Sequence, residues 1–193
     1  MNGSLAEAGP KVSLVIGGAR SGKSSLAGRL AMRLSGSGRL HLVATATAGD
    51  EEMADRIARH RADRAASGVG WILHEVPHDL PAVLGTFGPG DVVVVDCLTL
   101  WLANVTAGGA ETPGDAAETA CKGLIGALEA TTATVVLVSN EVGWGIVPAN
   151  PLGRSFRDAQ GRVNARVAAR ADLVVGVMAG LPFVLKGRLP DGL

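Results

Sequence analysis

The sequence predicts an open, mostly parallel α/β sheet flanked by helices, a single domain over residues 11–193 behind a flexible extension at 1–10. Three observations predict it. Apolar, β-branched runs recur along the chain, helical stretches separate them, and the first run passes through a glycine-rich loop directly into a helix. Continuous rather than alternating apolar runs suit strands covered on both faces, as in parallel sheets.

The elements follow in order. Residues 12–16 (Val-Ser-Leu-Val-Ile) read as the first strand, and 24–34 as a helix because Leu26, Leu30 and Leu34 recur four apart. A weaker strand follows at 40–44. A helix is expected over 50–64, where Thr47 or Asp50 can cap the start and acidic residues fill the first turn, as the helix dipole favours. The four valines at 92–95 make a buried strand, 114–131 a helix, and 135–138 and 173–177 two more strands. Segments 35–39 and 107–114 are turns by their Gly, Ser and Pro content. No internal repeat and no domain linker interrupts this alternation.

Composition excludes several classes. Apolar residues are 47% of the 193, enough for a sizeable core and too many for extended disorder. Lys+Arg and Asp+Glu are 18 each, so no global field attracts nucleic acid or an acidic membrane. Three Trp, three Phe and no Tyr leave little material for stacking bases. Cys97 and Cys121 cannot form a disulfide scaffold or a thiolate zinc site, and read as small core residues. The apolar stretch 173–185 contains Gly and Pro and falls short of the ~20 residues of a membrane span. Residues 1–10 have neither the basic start nor the apolar run of a signal peptide, so a cytoplasmic location is expected.

The first strand leads into Gly17, Gly18, Ala19, Arg20, Ser21, Gly22, Lys23 and Ser24, a full match to G-x-x-x-x-G-K-[ST] in its strand-to-helix context. Glycines let backbone N–H groups converge on phosphate oxygens, and the helix N-terminus adds its positive end. Lys23 supplies charge to the β and γ phosphates and Ser24 a hydroxyl to Mg²⁺. Asp96, at the end of the valine strand, is the expected second magnesium ligand. The fold class is accordingly a P-loop (RecA-like) sheet. The loop alone does not choose between kinase, ATPase and switch protein.

A second cluster lies at 44–64. Met53, Ile57, His60 and Arg64 share one helical stripe, with Arg59 and Arg61 beside the imidazole. A neutral imidazole among guanidinium groups is placed to attack phosphorus, since those charges hold phosphates and stabilise a developing oxyanion. Spacing alone favours the plainer reading, a solvated basic helix face with an incidental His. His41, His74 and His78 lack such surroundings and read as structural or exposed.

The phosphate loop, the run Asp50-Glu51-Glu52-Met53 through Arg56-Ile57 to His60-Arg61, Val138-Ser139-Asn140-Glu141-Val142-Gly143 with Gly145-Ile146-Val147-Pro148, Phe156-Arg157-Asp158 and Gly161-Arg162-Val163-Asn164 occur in series. Together they resemble the bifunctional adenosylcobinamide kinase / adenosylcobinamide-phosphate guanylyltransferase family of cobalamin synthesis. The resemblance covers nearly the whole chain beyond residue 10. It implies phosphorylation of adenosylcobinamide by ATP or GTP. It then implies transfer of GMP from GTP, through an enzyme histidine, to adenosylcobinamide-phosphate, with release of pyrophosphate. The family's guanylylated histidine falls on His60, and Lys23 is the second catalytic residue. Its nucleotide contacts fall on residues 17–24, on Ala44, Thr45 and Ala46, on Arg61, Ala62, Asp63 and Arg64, and on Glu75 and Asp96. It also implies a homotrimer.

The chain departs from the family pattern in three places. Arg59-His60 stands where many relatives have His-His, Arg64-Ala65 where Arg-Pro is common, and Asp96 where some carry Glu. None removes a group the chemistry requires. Asn140 and Glu141 fit a structural loop as well as substrate contact and stay outside the expected catalytic set, while Trp144 could cover the corrinoid or a neighbouring subunit. The competing readings are a P-loop kinase of another small hydroxyl compound without guanylyl transfer, and a RecA-like ATPase module.

Overall fold

The computed structural model describes residues 9–47, 68–107 and 112–193. Its elements run β1 (Val12–Gly17), α1 (Lys23–Ser35), β2 (Arg39–Ala44), β3 (Trp71–Glu75), α2 (Leu80–Leu84), β4 (Asp91–Asp96), α3 (Leu98–Thr106), α4 (Pro113–Ala130), β5 (Thr134–Asn140), α5 (Pro151–Arg170), β6 (Leu173–Met178) and β7 (Leu181–Lys186). They form one seven-stranded sheet in the order β3-β2-β4-β5-β1-β6-β7. Every pair is parallel except β6 with β7.

The valine and leucine runs are buried because both faces of the sheet are covered. Under α1, Leu26, Leu30 and Ala31 pack on Val15, Val92, Val94, Val136, Val138, Val175 and Val177. On the opposite face, Trp101, Leu124, Leu128, Val163 and Val167 of α3, α4 and α5 cover Leu14, Val93, Val95, Val135 and Leu137. Adjacent residues of each strand thus serve different faces, as the pleat requires. Cys97 and Cys121 are both buried and free. The five expected strands appear, and the weak run at 40–44 becomes β2, paired on both sides. The helix expected over 50–64 lies outside the described residues.

Five elements went unanticipated: α2 and α3, at 5 and 9 residues too short to show a helical period, and β7, α5 and β3. The apolar stretch 173–185 divides into a hairpin, because Ala179 and Gly180, at φ +51° and +80°, make a two-residue reversal between Met178 and Leu181. α5 is rich in arginine and carries Gly153 and Gly161, so its apolar stripe is thin. The readable signal was Asn150, whose side chain accepts the Gly153 N–H, followed by Pro151 in the first turn. β3 is a short edge strand whose residues are half-exposed or exposed.

At the start of β2 and β4 lies a polar cluster within the apolar layer. His41 is buried between two partners, with Nδ1 3.0 Å from His74 Nε2 and Nε2 3.3 Å from Asp91 Oδ1. Arg39 Nε donates to the same carboxylate oxygen at 2.8 Å, and the Gly88 N–H donates to the other at 2.9 Å. Phe87 packs against both imidazoles. His41 is thus structural, a bridge from β3 to β4.

Candidate active site

β1 ends at Gly17, in register with Val177 of β6. A side chain at position 17 would run into the Val177 carbonyl, so the loop can leave the sheet here only from glycine. Arg20 takes a left-handed φ of +56° at the crest of the loop, and Gly22, at φ +97°, leads into α1. No side chain caps this helix. A helix N-terminus of this kind, with its positive end at the loop, suits a phosphate. The loop is braced from two sides: the Gly17 carbonyl accepts the Glu141 N–H at 3.0 Å, and the Ser21 carbonyl accepts the Gly180 N–H at 3.1 Å. Lys23 is buried and donates through Nζ to the Gly18 carbonyl at 2.5 Å, folding back over the loop it belongs to. The Ser21 hydroxyl is buried without a hydrogen-bond partner among the described residues. An enclosed orphan of this kind fits a group whose partner arrives with a ligand.

The remaining expected contacts among the described residues line the carboxyl edge of the sheet. Ala44 is in register with Glu75 on one side and Asp96 on the other, Asp96 with Val138, and Gly17 with Asn140. Alternation puts Asp96 on the same face as Val92 and Val94, which lie under α1. Asp96 and the phosphate loop thus share one edge and one face, separated by β5. Such edges, outside the carboxyl ends of parallel strands, are where α/β proteins bind ligands.

Thr45 is fully buried. Its hydroxyl donates to the Cys97 carbonyl at 2.7 Å and accepts the Cys97 N–H at 2.9 Å. The side chain therefore holds β2 to β4, and the partly exposed Ala44 and Ala46 on either side of it present the surface a nucleotide would meet. α3 tightens the same edge: Asn104 Nδ2 donates to the Thr45 and Pro77 carbonyls at 2.8 and 3.1 Å, and Trp101 Nε1 to the His78 carbonyl at 2.8 Å. Burial pushes the Cys97 thiol above its ordinary range. The Asp96 charge adds to this, against partial opposition from the Leu100 and Thr99 N–H groups and Lys23. That thiol is a neutral wall of the site, not a nucleophile.

His60, Arg61, Ala62, Asp63 and Arg64 lie outside the described residues. Of the others, the structure brings residues 17–24, Ala44, Ala46, Glu75 and Asp96 to one edge. It also places Asn140 there, which the sequence left open. Behind Asn140, on the α5 side, Ser139 Oγ donates to Asn164 Oδ1 at 2.6 Å. Gln160 Nε2 donates to both of those atoms at 3.0 and 2.9 Å, and Asn164 Nδ2 to the Asn140 carbonyl at 3.2 Å. Gln160 and Asn164 sit four apart on α5, a polar pair where a core stripe would be apolar, and that spacing was the available signal. Beyond β5, Trp144, Ile146 and Val147 are exposed. A cavity of about 360 Å³ opens between the ends of α3, α4 and α5, lined by Ala103, Pro113, Leu152 and Phe156 among others.

A family model described as cobinamide kinase / cobinamide phosphate guanyltransferase matches residues 13–185. The chain belongs to this CobU family. It is 43% identical over 175 residues to the bifunctional adenosylcobalamin biosynthesis protein CobP of Pseudomonas aeruginosa, covering 90% of this chain and 96% of that one. It is 38% identical over 184 residues to the corresponding CobU proteins of Salmonella typhimurium and Escherichia coli, covering 90% of this chain and 98% of each. Among solved structures, an ATPase domain aligns with TM-score 0.52 at 14% identity, over 86% of this chain and 68% of that one. The flagellar accessory protein FlaH from Methanocaldococcus jannaschii aligns with TM-score 0.52 at 13% identity, over 92% and 79%. These two likenesses establish the P-loop, RecA-like fold of this CobU-family chain. No helix among its described residues is long and apolar enough to cross a membrane. No group of three or more His, Cys, Asp or Glu among them could hold a metal ion. Ser24 and Asp96 offer a hydroxyl and a carboxylate, oxygen donors of the kind hard divalent cations take.

Proposed function

We propose that this chain catalyses both reactions named for its family at one nucleotide site. It phosphorylates adenosylcobinamide with ATP or GTP, then joins GMP from GTP to adenosylcobinamide-phosphate. The observation that carries this is the phosphate loop and Asp96 on one face of one sheet edge, a single strand apart.

In the first reaction the loop N–H groups and Lys23 hold the β and γ phosphates. The acceptor hydroxyl oxygen attacks the γ phosphorus in line, the β–γ bridging oxygen leaves with the nucleoside diphosphate, and the hydroxyl proton is lost. Ser24 and Asp96 are the residues that would hold Mg²⁺, which supplies charge neutralisation across the phosphates. In the second reaction the unprotonated imidazole of His60 attacks the α phosphorus of GTP and pyrophosphate leaves. A phosphate oxygen of adenosylcobinamide-phosphate then attacks the same phosphorus, the P–N bond breaks, and the free imidazole returns. Arg61 and Arg64 neutralise the phosphates at this stage. A homotrimer completes the reading, supported by exposed apolar side chains at Trp144 and Ile146 and along β7.

Incubation with GTP labelled at the α phosphate tests the proposal. Label retained on the protein, acid-labile, base-stable and absent from His60→Ala, is expected. Failure to label while adenosylcobinamide is still phosphorylated would leave a kinase alone.

A further inference from the structure

Asn140 closes β5 between the two halves of the nucleotide site. β5 runs between β4, which ends in Asp96, and β1, which ends in Gly17, and Asn140 is the register partner of Gly17. Alternation along β5 sets Asn140 on the side of Val136 and Val138, the face that α1 covers and Asp96 shares. The carboxamide is partly exposed. Its Nδ2 has one partner among the described residues, the Cys97 sulfur at 4.0 Å, and its Oδ1 has none. A thiol is a weak acceptor, so the amide keeps nearly all its hydrogen-bonding capacity for something at the edge.

The backbone of this residue, by contrast, is fixed on every side. Its N–H donates to Thr99 Oγ1 at 2.9 Å, its carbonyl accepts from Asn164 Nδ2, and the next N–H, of Glu141, holds Gly17. Ser139, Gln160 and Asn164 form a buried polar layer behind it, in a position where aliphatic packing would serve a merely structural strand end. Linked hydrogen bonds in a buried layer rigidify what they hold. Here they hold the peptide that presents one amide between Lys23 and Asp96.

We propose that Asn140 reads the terminal phosphate: its carboxamide hydrogen-bonds the γ-phosphoryl group of the bound triphosphate and holds it in line for transfer. This rests on the phosphate loop being the nucleotide site. The amide can donate to a phosphoryl oxygen through Nδ2 and accept the incoming hydroxyl through Oδ1, a pair of roles neither Lys23 nor Asp96 can combine. A diphosphate, lacking the γ group, is indifferent to it.

The test compares GDP with a non-hydrolysable GTP analogue by calorimetric titration of the full chain and its Asn140→Ala, Asn140→Asp and Lys23→Ala variants, with kinase turnover measured alongside. For Asn140→Ala we expect unchanged GDP affinity, an analogue affinity reduced about tenfold, the scale of one lost hydrogen bond to a charged group, and a still larger fall in kcat. Asn140→Asp is expected to weaken the analogue more than Ala does, because it sets a charge against the phosphate, again sparing GDP. Equal loss of GDP and analogue, or loss of neither, overturns the inference. Lys23→Ala separates the two levels: if it leaves both nucleotides bound as in the parent, the phosphate loop is not the site and the reading beneath fails as well.

Discussion

Thr45 and Cys97 exchange two hydrogen bonds, the hydroxyl donating to the carbonyl at 2.7 Å and accepting the N–H at 2.9 Å. One buried side chain thereby ties the last residues of β2 and β4, and with them Ala44 and Asp96, into a single edge. Thr45→Val keeps the shape and removes both bonds, leaving the Cys97 N–H unpaired inside the protein while its carbonyl keeps the Trp101 N–H at 3.2 Å. A loss of about 1–3 kcal/mol per buried orphan is the expected scale. Urea unfolding should show the midpoint falling, and nucleotide affinity should fall with it as Asp96 loosens. Thr45→Ser, which keeps the hydroxyl, should restore most of both.

Lys23→Ala removes the cation that lies folded over the loop against the Gly18 carbonyl. With one nucleotide site serving both reactions, as proposed, kinase and guanylyl transfer should each fall by about 10²–10³ in kcat/KM, the scale for removing one preorganised charge or donor from a transition state. Steady-state assays of both halves, run on the same preparation, check this. Survival of either activity at parental level would require a second nucleotide site.

Two glycines of the loop should respond differently to alanine. At Gly22 the obstacle is conformational, φ +97° with no backbone atom closer than 3.6 Å to the added carbon, and the expected cost is about 1–2 kcal/mol. At Gly17 the added carbon meets the Val177 carbonyl, so β1 and β6 must separate. Thermal melts should rank Gly17→Ala well below Gly22→Ala.

The His41, His74 and Asp91 cluster gives acid sensitivity of known sign. Burial first, and then the neighbouring His41, hold His74 below the ordinary imidazole value. The unfolded chain therefore takes up that proton more readily than the fold. The stability it contributes is complete above about pH 6.5 and drains as pH falls through that value toward the lowered folded one. Burial alone would raise the Asp91 carboxyl, but the Gly88 N–H, Arg39 and His41 outweigh it and hold it low. Its contribution persists above the ordinary carboxylate value and is lost only on stronger acidification. Melting temperature against pH should thus fall in two stages, and His74→Gln should flatten the first.

Much of this site was readable because its chemistry demands particular residues in a fixed order. The phosphate loop needs glycine where β1 meets Val177, and Asp96 must follow a strand buried on both faces, so motif and hydropathy coincide. Glu75 was reached only through family resemblance, since β3 is too short and too exposed to stand out by pattern. Asn140 stayed ambiguous because its meaning comes from strand order: nothing local says that β5 inserts between β4 and β1. Gln160 and Asn164 look like a solvated helix face in sequence, yet Gln160 is wholly buried and Asn164 nearly so, because their partner Ser139 lies 21 and 25 residues upstream. His60 and its arginines, proposed for the covalent half of the mechanism, were reached through the family resemblance and lie outside the described residues.

The bond from the Gly180 N–H to the Ser21 carbonyl, together with the fit of Gly17 against Val177, has a temporal side. A nascent chain of about 170 residues already contains the whole glycine loop, Asp96 and Asn140, but neither of these braces. In the proposed site, the loop therefore takes its braced form only once β6 and the turn at Gly180 have been made and β6 has paired with β1.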